Sequence, residues 1–356
     1  MIEDKSPTVK KSSWNLRRVT ITVFKFAVSV GILAYLFGQA WQNDHFATIA
    51  AARKDYFWLA LAVFAGMFGC VIAFFRWHQL VIALELPFRL SDAVRLGFLG
   101  HLFNLMSFGV FGGDAIKAMF VARQMRGRVP EVFASVFADR VIGLSAMLMF
   151  ASVGYLLSDF SQLEAVNPTA LASVDVVCRF SILISVLMIA IMFGLNIFEG
   201  WQKSYLAQKF VAIPRVGNIV GRLFQVISIY RTKKSVIFWA YVMSFASVAM
   251  FAVAIYSLAR GLSDSYPSFV SHFVIAPIAM VANAAPLPGG LGGMELALDF
   301  LYRGFSQKEI PSEHGFVVAL GFRLILLAVA AVGILVYLTK KREINTLKYA
   351  VDQSIA

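Results

Sequence analysis

Residues 96–122 read LGFLGHLFNLMSFGVFGGDAIKAMFVA, and residues 268–302 read SFVSHFVIAPIAMVANAAPLPGGLGGMELALDFLY. Both are apolar, both exceed the roughly 20 residues that carry a helix across a hydrocarbon core of about 30 Å, and both are broken in the middle by glycine or proline. Each therefore reads as a helix, a Gly-rich break and a second short helix. Around them lie six uninterrupted apolar segments, 19–41, 57–75, 132–157, 177–198, 236–259 and 314–339, which read as plain membrane spans.

The composition agrees. Hydrophobic residues make up 59% and charged residues 15%, against about 45–50% and 25% in soluble chains. The mean hydropathy is +0.74, and the ten-residue alternation of a transmembrane barrel is absent. Residues 1–18 are polar and basic, and the apolar run after them continues to Trp41 without a small-residue cleavage site, so it reads as the first span and not as a signal peptide. Cys70 and Cys178 fall inside apolar runs and read as small core residues. The net charge of +12 follows membrane sidedness and does not cluster on a polar domain, which excludes a nucleic-acid partner.

Charge also threads the two broken segments. With the N-terminus in the cytoplasm, Lys5, Lys10, Lys11, Arg17 and Arg18 are inside, and Arg76, Arg89 and Arg95 follow the second span on the same side. Arg123, Arg126 and Arg128 join them only if the first broken segment enters and returns on one side. The loop 158–176 carries acids and no Lys or Arg, and is outside; the loop 199–235, with Lys203, Lys209, Arg215, Arg222, Arg231, Lys233 and Lys234, is inside. Lys340, Lys341, Arg342 and Lys348 return to the cytoplasm if the second broken segment is a hairpin entering from outside. Inner segments then hold 22 Lys and Arg and outer ones five, the asymmetry that membrane insertion imposes.

The predicted fold class is an all-α polytopic membrane protein with six transmembrane helices plus two re-entrant broken-helix hairpins in an inverted repeat. Its parts are a basic cytoplasmic N-terminus (1–18), a first repeat (19–157), a second repeat (177–339) and a cytoplasmic tail (340–356). Inverted repeats with broken segments are a plan of secondary transporters, whose site lies between the repeats at mid-depth. Non-helical backbone at that depth must be buried in protein or line a wet cavity, so the two breaks are expected to meet.

Few ionisable residues remain at depth: Asp114, Lys117, Asp139, Arg140, Arg179, Glu295, Asp299 and Arg323. Charges there are costly, which marks them as functional candidates. Asp114 precedes Arg140 by 26 residues and Glu295 precedes Arg323 by 28, so the halves echo each other. Two readings stand open: buried ion pairs that lock each hairpin to the next span, or a binding site. In the second, Gly112, Gly113 and Gly292 with the following helix starts, plus Arg140 and Arg323, would cradle a phosphate. Asn283 either bonds freed backbone or a head group; Pro286 and Pro288 stop the helix before Gly289 and Gly290. The five histidines lack ligand spacing, so no metal site or cofactor is expected, although His101 and His272 occupy matching first arms. The loop 200–234 mixes aromatic and basic residues and reads as interfacial amphipathic helices. Small residues such as Gly66, Gly69 and Ala73 suit either internal or intersubunit packing, so the oligomeric state stays open.

At FGGDAIKAMFVAR, ADRVIG and NAAPLPGGLGGMELAL the chain resembles the transmembrane flippase-like domain of lysylphosphatidylglycerol synthases, over nearly its whole length. The resemblance implies movement of a lipid between leaflets of the inner membrane. By motif position it singles out Gly112, Gly113, Asp114, Lys117, Asp139, Arg140, Pro288, Gly289, Gly290, Gly292 and Glu295. The aminoacyl transfer of those synthases belongs to a separate soluble domain, so no enzymatic activity is expected of the 356 residues here. The leading expectation is a translocase for an anionic phospholipid or isoprenoid-linked lipid, with both termini cytoplasmic and membrane lipids as partners. The alternatives are a proton-coupled transporter of a small anion, using Asp114, Asp139 or Glu295, and a non-transporting membrane partner of a lipid-modifying enzyme.

Overall fold

The computed structural model describes residues 38, 54–106, 112–124, 128–157, 172, 175–187, 230, 232–263, 265–283, 292–305 and 314–339. The expected span 19–41, apart from residue 38, most of the loop 199–235, both termini and the breaks at 107–111 and 284–291 lie outside the described residues, and Pro288, Gly289 and Gly290 with them. Among the described residues all regular secondary structure is helical. Its helices are α1 (Tyr56–Ala83), α2 (Leu90–Met106), α3 (Gly112–Gln124), α4 (Val129–Leu157), α5 (175–187), α6 (Lys234–Leu262), α7 (His272–Asn283), α8 (Gly293–Gly304) and α9 (His314–Thr339).

Four of these, α1, α4, α6 and most of α9, are long and apolar enough to cross a membrane. Their outer faces carry Phe64, Phe137, Leu156, Phe238 and Leu324, each more than 60% exposed. Water would penalise such a surface and lipid does not. Helices α2, α3, α7 and α8 are shorter, from 12 to 17 residues, about 18–26 Å at 1.5 Å per residue, and none of them reaches across alone.

Helices α1 and α6 form the central antiparallel pair. Leu59 meets Gly261, Gly66 meets Ala254, and Gly69 meets Phe251, while the Ser247 hydroxyl donates to the Gly69 carbonyl at 2.8 Å. A Cβ on Gly69 would stand 3.0 Å from the Phe251 ring, so the small-residue stripe lets the two backbones approach, the packing mode available where lipid supplies no hydrophobic drive.

The sequence reading ended the second span at residue 75 and left Arg76 in the cytoplasm. The structure corrects this: α1 runs on to Ala83, and Arg76 is buried within it at 8% exposure. The helix continues because Arg76 has a partner in the bundle, described below. It ends where Leu84 and Glu85 turn, Glu85 adopting φ 59°. Its last carbonyls are met by donors from elsewhere: Tyr230 Oη on Leu80 (2.8 Å), Lys233 Nζ on Ala83 (2.8 Å), and Arg128 on Leu84 (2.8 Å) and Glu85 (3.3 Å). Cations there satisfy orphan acceptors and oppose the negative end of the helix dipole.

Each short pair is a helical hairpin with both ends at one end of the bundle. Helix α2 starts a few residues beyond Leu84 and α3 ends four residues before Arg128, which binds the Leu84 carbonyl. In the second pair the start of α7 touches the end of α8, His272 Nε2 lying 2.8 Å from Tyr302 Oη. His272 Nδ1 is also bonded to the Ser268 carbonyl at 2.8 Å, so this histidine is a fully paired core residue. The mouth of the second hairpin lies beside Tyr256, near the C-terminus of α6, where the Asp55 N–H donates to the Gly261 carbonyl at 3.2 Å. Asp55 caps the opposite end of α1 from Leu84.

Exchanging α1 with α6, α2 with α7, α3 with α8 and α4 with α9 maps every substantial pairing among these eight helices onto another. Close glycine contacts recur too: Gly154 of α4 packs on the backbone of Phe273 in α7, and Gly333 of α9 on that of Phe98 in α2. A Cβ at Gly333 would lie 2.5 Å from the Phe98 oxygen, which cannot swing aside. Gly333→Ala is expected to destabilise the fold by about 1–3 kcal/mol, read as a lowered unfolding midpoint in detergent.

Candidate functional site

Two buried clusters pack around the two hairpins, one with α2, α3 and the start of α4, the other with α7, α8 and α9; α1 and α6 run through both. Between them is a cavity of about 190 Å³. Its polar wall contains Arg76, His101, Asn104, Lys117, Asp139, Arg140, Asn283 and Arg323, and its apolar wall includes Phe74, Trp77, Phe251 and Phe322. Both halves contribute.

In the first half, Asp114 opens α3 and is buried at 6% exposure. It accepts from Arg140 Nε and stands 3.4 Å from Lys117 Nζ, so two cations share one carboxylate. The Gly113 N–H donates to Asn104 Oδ1 at 2.8 Å. In the second half, Glu295 opens α8 at 1% exposure. Its Oε1 accepts from Arg323 Nη2 at 2.7 Å and Nε at 3.1 Å, and its Oε2 accepts the Gly292 N–H at 2.9 Å. Gly292 has φ 94°, a conformation that glycine adopts without strain. Arg323 Nη2 also reaches Asn283 Oδ1 at 3.4 Å.

Both pairs anticipated from the 26- and 28-residue spacings are therefore present. For the glycines the structure shows internal bonding at two positions. The N–H groups of Gly113 and Gly292 are committed within the protein, to Asn104 and Glu295, and they cap helix starts there. Gly112 begins α3, one residue before Gly113.

Asp139 does not pair with the adjacent Arg140. Its Oδ1 accepts from Arg76 Nε at 2.8 Å, its carbonyl accepts from Arg76 Nη2 at 3.3 Å, and Arg76 Nη1 donates to Ser244 Oγ at 2.8 Å. This link joins α1, α4 and α6. Gly143 makes room for it, since a Cβ there would meet the Arg76 guanidinium at 3.2 Å. Of the other candidates at depth, Arg179 pairs with Asp175 one turn earlier and Asp299 with Arg303 one turn later. Sequence reasoning missed Arg76, Asn104, Trp77 and Gly100. Asn104 had a legible signal, because it stands before the first break as Asn283 stands before the second.

No group of three or more metal-ligating side chains forms among the described residues. A cavity of basic and amide groups inside an apolar bundle suits an anion.

An all-helical integral membrane protein with a basic internal cavity is the class that the fold and site define. A family model described as "Lysylphosphatidylglycerol synthase TM region" matches residues 22–333, and the chain belongs to that family. It is also 22% identical over 131 residues to a UPF0104 membrane protein of Pyrococcus horikoshii, a match that covers 36% of this chain and 39% of that relative.

Proposed function

We propose that this protein is a lipid translocase of the inner membrane, carrying the head group of an anionic phospholipid or isoprenoid-linked phosphate between leaflets. The observation that carries this reading is the cavity walled by cations from both halves. Its volume of about 190 Å³ is below the roughly 300–1,000 Å³ of pockets that enclose a drug-sized ligand. It suits a head group whose acyl chains remain in lipid.

The threading that supports this is an inverted repeat with two re-entrant hairpins. Helices α1 and α6 are equivalent under the exchange of halves and run antiparallel, so an axis relating them lies across the helices, in the membrane plane. The mouth of the first hairpin is near Leu84 and that of the second near Asp55, at opposite ends of α1. Arg128 and Lys233 cluster at the Leu84 end, which the charge rule makes cytoplasmic together with both termini. The reading assigns no group-transfer chemistry, and membrane lipids are the partners.

The test is reconstitution into vesicles with labelled phosphatidylglycerol in one leaflet. Translocation above that of empty vesicles is expected. An Arg140→Gln, Arg323→Gln double variant, confirmed as folded by gel filtration, is expected to be at least about tenfold slower, since loss of a charge-assisted contact is worth about 1.5–3 kcal/mol. Equal rates for the two proteins would overturn the reading. Uptake of soluble phosphate without lipid movement would favour the transporter of a small anion.

A further inference from the structure

The two halves match in scaffold but not in charge. Glu295 is fully engaged by one arginine and one backbone N–H, whereas Asp114 is divided between Arg140 and Lys117. The place of Lys117, three residues beyond the acid, is held in α8 by Leu298. Among the described residues, Arg76, Lys117, Arg140 and Arg323 line the cavity, and Asp114, Asp139 and Glu295 are the carboxylates paired with them. These four cations exceed the three carboxylates by one positive charge among the described residues, and the extra cation sits on the first hairpin.

A second observation falls at the same place. Trp77 lines the cavity and is 3% exposed, and its indole Nε1, which only donates, has no hydrogen-bond partner among the described residues. An unpaired buried donor of this kind costs about 1–3 kcal/mol. Lys117 Nζ lies 5.7 Å from the centre of the Trp77 ring and 5.9 Å from that of Phe74. Gly100 makes this possible, since a Cβ there would fall 2.1 Å from Lys117 Cε.

We infer that the Trp77 indole N–H, the Lys117 ammonium and the Arg140 guanidinium form an oxyanion site for a phosphate group on the first-hairpin side of the cavity. This deepens the translocase reading and rests on it for the source of the phosphate. The Arg323 and Glu295 pair is the structural counterpart in the second half. A ligand phosphate takes the surplus charge and the orphan N–H together, while Asp114 retains Arg140. Loss of Lys117 therefore leaves no buried carboxylate unpaired, and the fold survives it.

The experiment is a titration of purified, ¹⁵N-tryptophan-labelled protein in micelles, followed by NMR. The indole resonance absent from Trp77→Phe identifies this residue. Dihexanoyl phosphatidylglycerol is expected to shift that resonance downfield, and Lys117→Gln to weaken the apparent affinity about tenfold or more, with Lys117→Arg retaining most of it and Trp77→Phe weakening it severalfold. An unmoved Trp77 resonance, or Lys117→Gln and Trp77→Phe binding like the parent, would overturn the site. Inorganic phosphate and dihexanoyl phosphatidylcholine are the comparison arms. A Trp77 shift with inorganic phosphate of equal affinity keeps the site and assigns it to a soluble anion. Vesicle translocation that is unchanged in both variants keeps the translocase reading and removes this site.

Discussion

Glu295→Ala is expected to lower the unfolding free energy by about 3–5 kcal/mol, the largest stability loss among single substitutions at the cavity. Glu295 is 1% exposed and holds three donors: two from Arg323 and one from the Gly292 backbone. Removing it takes the carboxylate from the buried Arg323 guanidinium and the acceptor from the N–H at the start of α8. Desolvation dominates, because a buried charge costs far more without its partner than the pair contributes with it. The Glu295→Ala, Arg323→Ala double variant is accordingly expected to lose less than the sum of the two single variants. Denaturant unfolding in mixed micelles, read by far-ultraviolet circular dichroism, measures the cycle. The exposed Asp92 and Arg95 contact, 3.8 Å long, supplies the comparison, with an expected loss below about 1 kcal/mol. Additive losses at Glu295 and Arg323 would contradict a buried pair.

Gly113→Ala is expected to separate the arms of the first hairpin and to abolish translocation. An added Cβ would sit 2.0 Å from the Gly100 carbonyl oxygen and 2.6 Å from Asn104 Oδ1. The first of these is backbone and cannot rotate away, so α2 and α3 must move apart. Overpacking of this kind costs about 1–3 kcal/mol, occasionally more. It also pulls apart the helix pair on which Lys117 lies over Gly100, so the effect on the cavity exceeds the effect on stability. The checks are the unfolding midpoint and the vesicle rate measured on the same preparation. A stable variant with an unchanged rate would show that the contact between the two arms does not govern the cavity.

The pairing of Asp114 with Arg140 and of Glu295 with Arg323 was legible because a buried carboxylate needs a cation, and each half offers one at a comparable spacing. The partner of Asp139 was not. Arg76 precedes it by 63 residues, and the apolar run before Arg76 gives no sign that the helix continues past a charge. A guanidinium in a linear reading looks like the end of a span; beside Asp139 and Ser244 it is a buried tie between three helices. The same limit hid Gly100 and Trp77, whose meaning lies in what stands against them across the bundle.

Composition and span length determined by themselves that this chain lives in lipid, as helices, with two apolar segments interrupted by glycine and proline. Those properties depend on transfer from water to hydrocarbon and on backbone hydrogen bonding, which act residue by residue along the chain. The tertiary structure alone decided which donors are committed and which are left over. Gly113 and Gly292 had been candidates to hold a ligand, and their N–H groups proved to be satisfied by Asn104 and Glu295. Among the described residues, Lys117 and Trp77 emerged as the surplus charge and an unpaired donor of the cavity. The balance of donors and acceptors at a buried site is a sum over neighbours in space, and in a polytopic bundle those neighbours come from helices far apart in sequence.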